Sequence, residues 1–236
     1  MSPISIVKAI GGPGSIGFLA LSCSVGILLV YTWPKRSAIG RSWLLGTLLL
    51  YGVLAFPFVA HSLAESLPPV RSTTLRSVGT LDELILLSGD NEDGRVAETL
   101  DAWRTVKPDL ILVLGDEVLA QRLAAAGIPA THIRQNDVPA STRAQMESVA
   151  AQMRARPVHA AGVIASRLQM PRVIELARMN ALNLLFLSSP LDYNVPTSGV
   201  WSVVPSYRAL ELSRDALYER AAFGYYRSRG WIRAEP

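Results

Sequence analysis

The sequence predicts a mostly parallel α/β sheet with helices on both faces, preceded by two transmembrane helices. Three observations predict it. Short apolar runs at 84–87, 110–114, 161–165 and 184–187 alternate with helical patterns a few turns long, as in a parallel sheet buried on both sides. Two much longer neutral apolar runs, 16–33 and 43–63, come first. Half of the 236 residues are hydrophobic, more than a soluble domain alone needs.

Each long run approaches the ~20 residues that cross ~30 Å of hydrocarbon as a helix. Tyr31, Trp33 and Trp43 stand at the ends facing the short connection, where interfacial aromatics belong. Gly46 and Gly52 are expected to permit close helix packing, and Pro57 is tolerable inside a membrane helix because neighbours satisfy the freed carbonyl. The positive charges Lys35, Arg36 and Arg41 follow the first run, the reverse of a signal peptide. The positive-inside rule then puts the 34–41 loop in the cytoplasm and both termini outside. The resulting layout is a membrane anchor over 1–64, a linker over 65–80 broken by Pro68-Pro69, and an α/β domain over 81–236. In a Gram-negative bacterial cell the anchor would lie in the inner membrane with the domain on the periplasmic, extracytoplasmic side, and the lipid bilayer is the expected partner.

The net charge of +4 belongs mostly to the anchor, where Lys8, Lys35, Arg36 and Arg41 face only Glu65. The remainder is nearly balanced and carries no electrostatic footprint for nucleic acid. All its basic residues except Lys107 are arginines, which reads first as a compositional bias. The single cysteine, Cys23, allows neither an intramolecular disulfide nor a cysteine-based metal site.

Along the domain, 84–87 reads as a strand and 96–106 as a helix. The strand at 110–114 ends at Gly115, and the helix at 118–126 is closed by Gly127 with Pro129 beyond. A short strand is expected at 131–134. Ser141 is a candidate N-cap for a helix over 142–154. The strand at 161–165 leads to a helix over 170–180, and 184–187 is a further strand. An irregular loop covers 190–205, and Ser206 caps a closing helix to about residue 226 whose Leu210, Leu217 and Ala221 are expected to face the sheet.

Polar residues cluster where the strands should end: Gly89, Asp90 and Arg95; Gly115, Asp116 and Glu117; Ser141 and Thr142; Ser166, Gln169 and Arg172. In a parallel sheet these converge on the carboxyl edge, where open α/β sheets bind ligands. Glycines let a ligand approach the backbone, helix N-termini offer N–H groups to anions, and the arginines suit phosphate or carboxylate. Each set also has an ordinary reading. The glycines make tight turns, the acidic run Asp90, Glu92 and Asp93 suits a helix N-terminus, and surface arginines on helices are routine. An EF-hand alignment around Gly94 fails, because position twelve falls on Leu100. No metal site is indicated, and the sequence nominates no cofactor: the chain has no G-x-G-x-x-G, P-loop or G-x-S-x-G. His61 belongs to the anchor, and His132 and His159 read as structural or exposed.

With these loops in view, residues 81–231 resemble the YdcF/SanA/ElyC-like family of bacterial envelope proteins, and the two-span anchor resembles its ElyC branch. The family opens with a strand running into V-L-G-G-G and a downstream arginine, matched here by Leu86-Leu87-Ser88-Gly89-Asp90 and Arg95. Its S-G-G with a following glutamate is answered by Leu114-Gly115-Asp116-Glu117, and G-V-P by Gly127-Ile128-Pro129. Its T-x-E-N appears as Thr142-Arg143-Ala144-Gln145, and V-T-S-x-x-H-M-P-R as residues 164–172, ending Gln169-Met170-Pro171-Arg172. Trp201, Pro205-Ser206, Ala209-Leu210, Tyr218-Glu219 and Gly224 follow the family pattern near the end. Asp90 and Asp116 replace glycines, Gln145 an asparagine and Gln169 the signature histidine. Glutamine hydrogen-bonds but cannot shuttle a proton near neutral pH.

The resemblance implies a Rossmann-like fold and a role in envelope biogenesis, including peptidoglycan and undecaprenyl-carrier metabolism. It also implies S-adenosylmethionine binding, suggested for one branch. The expected function is a membrane-anchored envelope factor whose outward domain binds a small anionic or lipid-linked ligand. Its ligand-binding residues are Gly89, Asp90, Arg95, Gly115, Asp116, Glu117, Thr142, Ser166, Gln169 and Arg172. The alternatives are an enzyme of phosphate or glycosyl-carrier chemistry, with a metal held by Asp90, Asp93 and Asp116, and a non-catalytic scaffold of an envelope protein complex.

Overall fold

The computed structural model describes residues 12–32, 37–70, 80–89, 92–115, 117–137, 141–156, 158–189 and 193–233. It divides into two compact units: Met1–Leu67 with Tyr193–Ala222, and Pro68–Asp192 with Phe223–Pro236. This differs from the single 81–236 domain drawn from sequence. The 193–222 segment groups with the N-terminal helices, to which its backbone and side chains are hydrogen-bonded.

In the second unit the strands are β1 (Glu83–Leu87), β2 (Leu110–Leu114), β3 (Ile133–Asn136), β4 (Ala161–Ser166) and β5 (Leu185–Ser189). They form one all-parallel sheet in the order β3-β2-β1-β4-β5. β1 is central, with Leu84 opposite both Ile111 and Gly162. Its five residues are all buried, because alternate side chains serve two cores. Leu84 and Leu86 join Ile111, Val113 and Ile164 on one face, covered by α4 (Glu92–Val106) and α5 (Glu117–Ala125) through Val96, Ala102, Leu119 and Leu123. Ile85 and Leu87 join Leu112, Leu114 and Val163 on the other, covered by α6 (Thr142–Ala155) and α7 (Met170–Met179) through Met146, Val149, Val173 and Leu176. Tyr226 and Ile232 complete that second core. A sheet buried on both faces explains why its strands read as continuous apolar runs.

Parallel pairing puts every strand's carboxyl end on one edge. The β1 connection leaves to the α4 face and the β4 connection to the α7 face. β1 and β4 are neighbours, so the topological switch point lies between them. Two element boundaries differ from expectation. β3 begins at Ile133 because Ala130–His132 forms a 3-10 turn first, and α4 begins at Glu92, a full turn before its first apolar residue.

In the first unit, α1 (Ile16–Thr32) and α2 (Ser37–Leu54) pack against each other. Small and polar residues lie inside the pair: Ser22 and Thr47 are buried and hydrogen-bonded at 2.7 Å, and Trp43 Nε1 donates to Ser22 O at 3.0 Å. Leu21, Ile27, Leu28, Leu45, Leu48 and Leu49 are exposed. The glycines at the helix contact are Gly26 and Gly40. A Cβ on Gly40 would stand 2.8 Å from the Val30 nitrogen and from Gly26 O. Gly46 and Gly52, expected to serve that role, have no heavy atom within 4 Å of a built Cβ.

The expected second span of 43–63 is also corrected. Its helix starts earlier and stops at Leu54, and Pro57 opens the separate α3 (Pro57–Glu65). Proline's fixed φ and missing N–H suit a first turn rather than a helix interior. The carbonyls released at the break find other donors: Ser213 Oγ donates to Leu54 O at 2.7 Å and Ser206 N to Ala55 O at 2.9 Å. Among the described helices only α2 is long and apolar enough to cross a membrane, and α1 is a shorter apolar helix of 17 residues. The 33–36 connection, with Trp33, Lys35 and Arg36, lies outside the described residues.

The closing helix, α8 (Tyr207–Ser228), turns a different face inward than Leu210, Leu217 and Ala221 suggested. Ala209, Leu212, Ser213 and Ala216 are buried, and Ala221 is exposed. Only its last turns belong to the sheet unit, through Phe223 and Tyr226.

Candidate functional site

The carboxyl edge gathers a buried polar cluster from five elements. At the end of β1, Ser88 N continues the ladder by donating to Leu114 O at 3.0 Å. Gly89 then turns with φ +147°, and a Cβ there would stand 2.8 Å from Arg95 Nη2. The glycine makes room for that guanidinium. Arg95, from the first turn of α4, is fully buried, and its Nη1 donates to Leu87 O. Thr99 Oγ1 donates to Arg95 O at 2.7 Å.

At the end of β2, Gly115 has φ +99°, and a Cβ would collide with Ser88 Oγ at 2.3 Å and Gln145 Nε2 at 2.6 Å. The space is occupied by Gln145, 3% exposed, which reaches down from α6. Its Nε2 donates to Ser88 Oγ at 2.9 Å and Leu114 O at 3.1 Å. One helical turn earlier, Thr142 opens α6 behind the Ser141 N-cap, whose hydroxyl accepts from Ala144 N at 3.2 Å. Thr142 Oγ1 accepts two bonds at 2.9 Å, from Gln169 Nε2 and from Arg172 Nη1.

At the end of β4, Ser166 Oγ accepts from Gln169 N at 3.1 Å, fixing the turn from which α7 starts. Arg172, 4% exposed, lies with its Cζ 5.1 Å from the Tyr226 ring centroid, within cation–π range. Ser189, opposite Ser166 in the β4–β5 register, is also fully buried. The buried polar atoms here without a hydrogen-bond partner include Gln145 Oε1, Gln169 Oε1 and Ser189 Oγ. Both glutamine amides are held by protein acceptors through Nε2, so their unmatched capacity is for accepting. A buried unsatisfied acceptor costs about 1–3 kcal/mol.

Of the residues expected from sequence, Gly89, Arg95, Gly115, Thr142, Ser166, Gln169 and Arg172 come together. Glu117 does not: it is exposed and accepts from Gln121 Nε2 at 3.1 Å. Asp90 and Asp116 lie outside the described residues. Asp93 and Glu92 pair with Arg122 of α5, the helix-terminus role that carboxylates there ordinarily have. The histidines are elsewhere. His132 Nδ1 contacts Asp109 O and His159 N donates to Asp82, both next to the amino ends of strands. His61 contacts Val195 O in the first unit.

Sequence reasoning missed Ser88, Gln145 and Ser189 as members of the cluster. The signal for Gln145 was present: three residues past Thr142 at a helix start, it shares Thr142's face. Chemically the cluster supplies buried positive charge from Arg95 and Arg172, hydroxyls from Ser88, Thr142, Ser166 and Ser189, and two acceptor amides. Compared with known proteins, the chain matches no family model, no curated protein and no solved structure.

Proposed function

We propose that this chain is a membrane-anchored envelope-biogenesis factor whose α/β unit binds a small anionic or lipid-linked ligand at the carboxyl edge of its sheet. The observation that carries the reading is the burial of Arg95, Gln145, Gln169 and Arg172 at the carboxyl ends of the strands, with both glutamine acceptor oxygens unmatched. The arginines complement a phosphate or carboxylate. The glutamine oxygens complement hydroxyl or amide donors, so a glycosyl phosphate, free or carrier-linked, matches both halves. The resemblance to the YdcF/SanA/ElyC-like family supports the same edge, since Gly89, Arg95, Gly115, Thr142, Ser166 and Arg172 are among the positions it shares.

The inverted pattern of α1 and α2 supports the anchor: polar and small residues inside, leucines outside. That distribution suits lipid, where packing of small residues and interhelical hydrogen bonds replace the hydrophobic drive. The test is calorimetric titration of the full chain in detergent micelles with undecaprenyl phosphate, a soluble sugar phosphate and a neutral sugar. A phosphate-bearing probe should bind, and Arg172→Lys and Gln169→Ala should each weaken it about tenfold. No binding of either phosphate, or affinity untouched by both substitutions, would sink the reading.

A further inference from the structure

We propose that the uncharged turn around Trp201, with Tyr207 and Phe58, is a lipid-facing element that seats in the headgroup region of the bilayer. The inference rests on the reading of α2 as a membrane helix. From Tyr193 to Tyr207 the chain carries no charge, yet Val200, Trp201 and Val203, in or beside the 3-10 turn Val200–Val203, are more than half exposed, Trp201 at 66%. Tyr207 and Phe58 stand at 62% and 58%. Large aromatics on a water-facing turn are unfavourable, and tryptophan and tyrosine concentrate at membrane interfaces because their rings are amphipathic.

Attachment decides the occupant. Ser206 N donates to Ala55 O and Ser213 Oγ to Leu54 O, and α3, which bears Phe58, packs on the 3-10 turn. The apolar turn is therefore fixed at the C-terminal end of α2, the helix whose Leu45, Leu48 and Leu49 are exposed. The 18 residues of α2 rise ~27 Å, a little short of a ~30 Å hydrocarbon core. The end of α2, and whatever is hydrogen-bonded to it, is thus drawn to the lipid boundary rather than clear of it.

The experiment places a nitroxide on the full chain in phosphatidylcholine/phosphatidylglycerol nanodiscs, in a Cys23→Ser background. Single labels go to Trp201→Cys and, as a second site on the turn, Val203→Cys. Leu48→Cys serves as the helix control and Asp101→Cys as the water control. Power saturation compares collisions with oxygen and with a nickel chelate. The proposal expects both turn labels to lose nickel collisions relative to Asp101 and to gain oxygen collisions, at a shallower depth than Leu48. Turn labels as nickel-accessible as Asp101, with Leu48 shielded, overturn this inference alone. A nickel-accessible Leu48 overturns the membrane reading and this inference with it.

Discussion

Gly115 shows how tightly single residues set the candidate site. Its φ of +99° already disfavours any side chain, and the position of a Cβ is taken by Ser88 Oγ and Gln145 Nε2. Gly115→Ala combines backbone strain with overpacking and should destabilise the sheet unit by about 2–3 kcal/mol, read by urea denaturation. Gly89→Ala should cost less, since its obstruction is the end of the Arg95 side chain. Equal effects, or none, would contradict the packing described. At the opposite edge Glu83 is 3% exposed and accepts from Gln152 Nε2 at 2.5 Å. Burial pushes its carboxyl above the ordinary 4.5, against the pull of Arg156 and Arg134. A raised folded value means stability is fullest below the unfolded value and is lost as pH rises through the folded one. Glu83→Gln should therefore gain stability relative to the native chain at pH 8 compared with pH 4, in paired thermal melts. A difference independent of pH would show that Glu83 does not change protonation differently in the two states.

At the scale of elements, the pair of apolar helices makes the sharpest prediction. Gly40 abuts backbone atoms of α1, which cannot move aside as a flexible side chain can. Gly40→Leu should force the pair apart and cost about 1–3 kcal/mol, whereas Gly46→Leu should be tolerated. Disulfide formation between Ser22→Cys and Thr47→Cys, in a Cys23→Ser background, reports the spacing. Crosslinking that survives Gly40→Leu unchanged would refute the contact. The apolar stretch alone did not choose between these glycines; the signal was that Gly40 lies seven residues before Thr47 and so shares its buried face. The same limit hid the break at Pro57, since the run 43–63 stays apolar through it. The strands were legible at 84–87, 110–114, 161–165 and 184–187 because burial on both faces leaves an unbroken apolar signature. α4 was read late, at Val96, because its first turn is polar and exposes Glu92 and Asp93 to Arg122.

Over the whole molecule, the edge that carries the buried polar cluster followed from topology once the parallel sheet was recognised, and so did seven residues that lie there. Gln145 and Ser189 were missed because their membership depends on side-chain reach across elements rather than on position in a loop. Among the described residues, the acidic ones expected at this edge lie elsewhere: Asp93 and Glu92 pair with Arg122, and Glu117 faces solvent. Among the described residues the edge holds Arg95, Arg172 and two buried glutamine amides, and it is the centre of the account. Hydrogen exchange of the full chain in nanodiscs, with and without undecaprenyl phosphate, tests it most directly. The predicted result is slowed exchange at Ser88, Gly89, Gly115 and the first turns of α6 and α7, with Asp82 and His159 at the opposite edge unchanged. Binding that protects the amino edge, or the apolar helices alone, while leaving those turns untouched would contradict it.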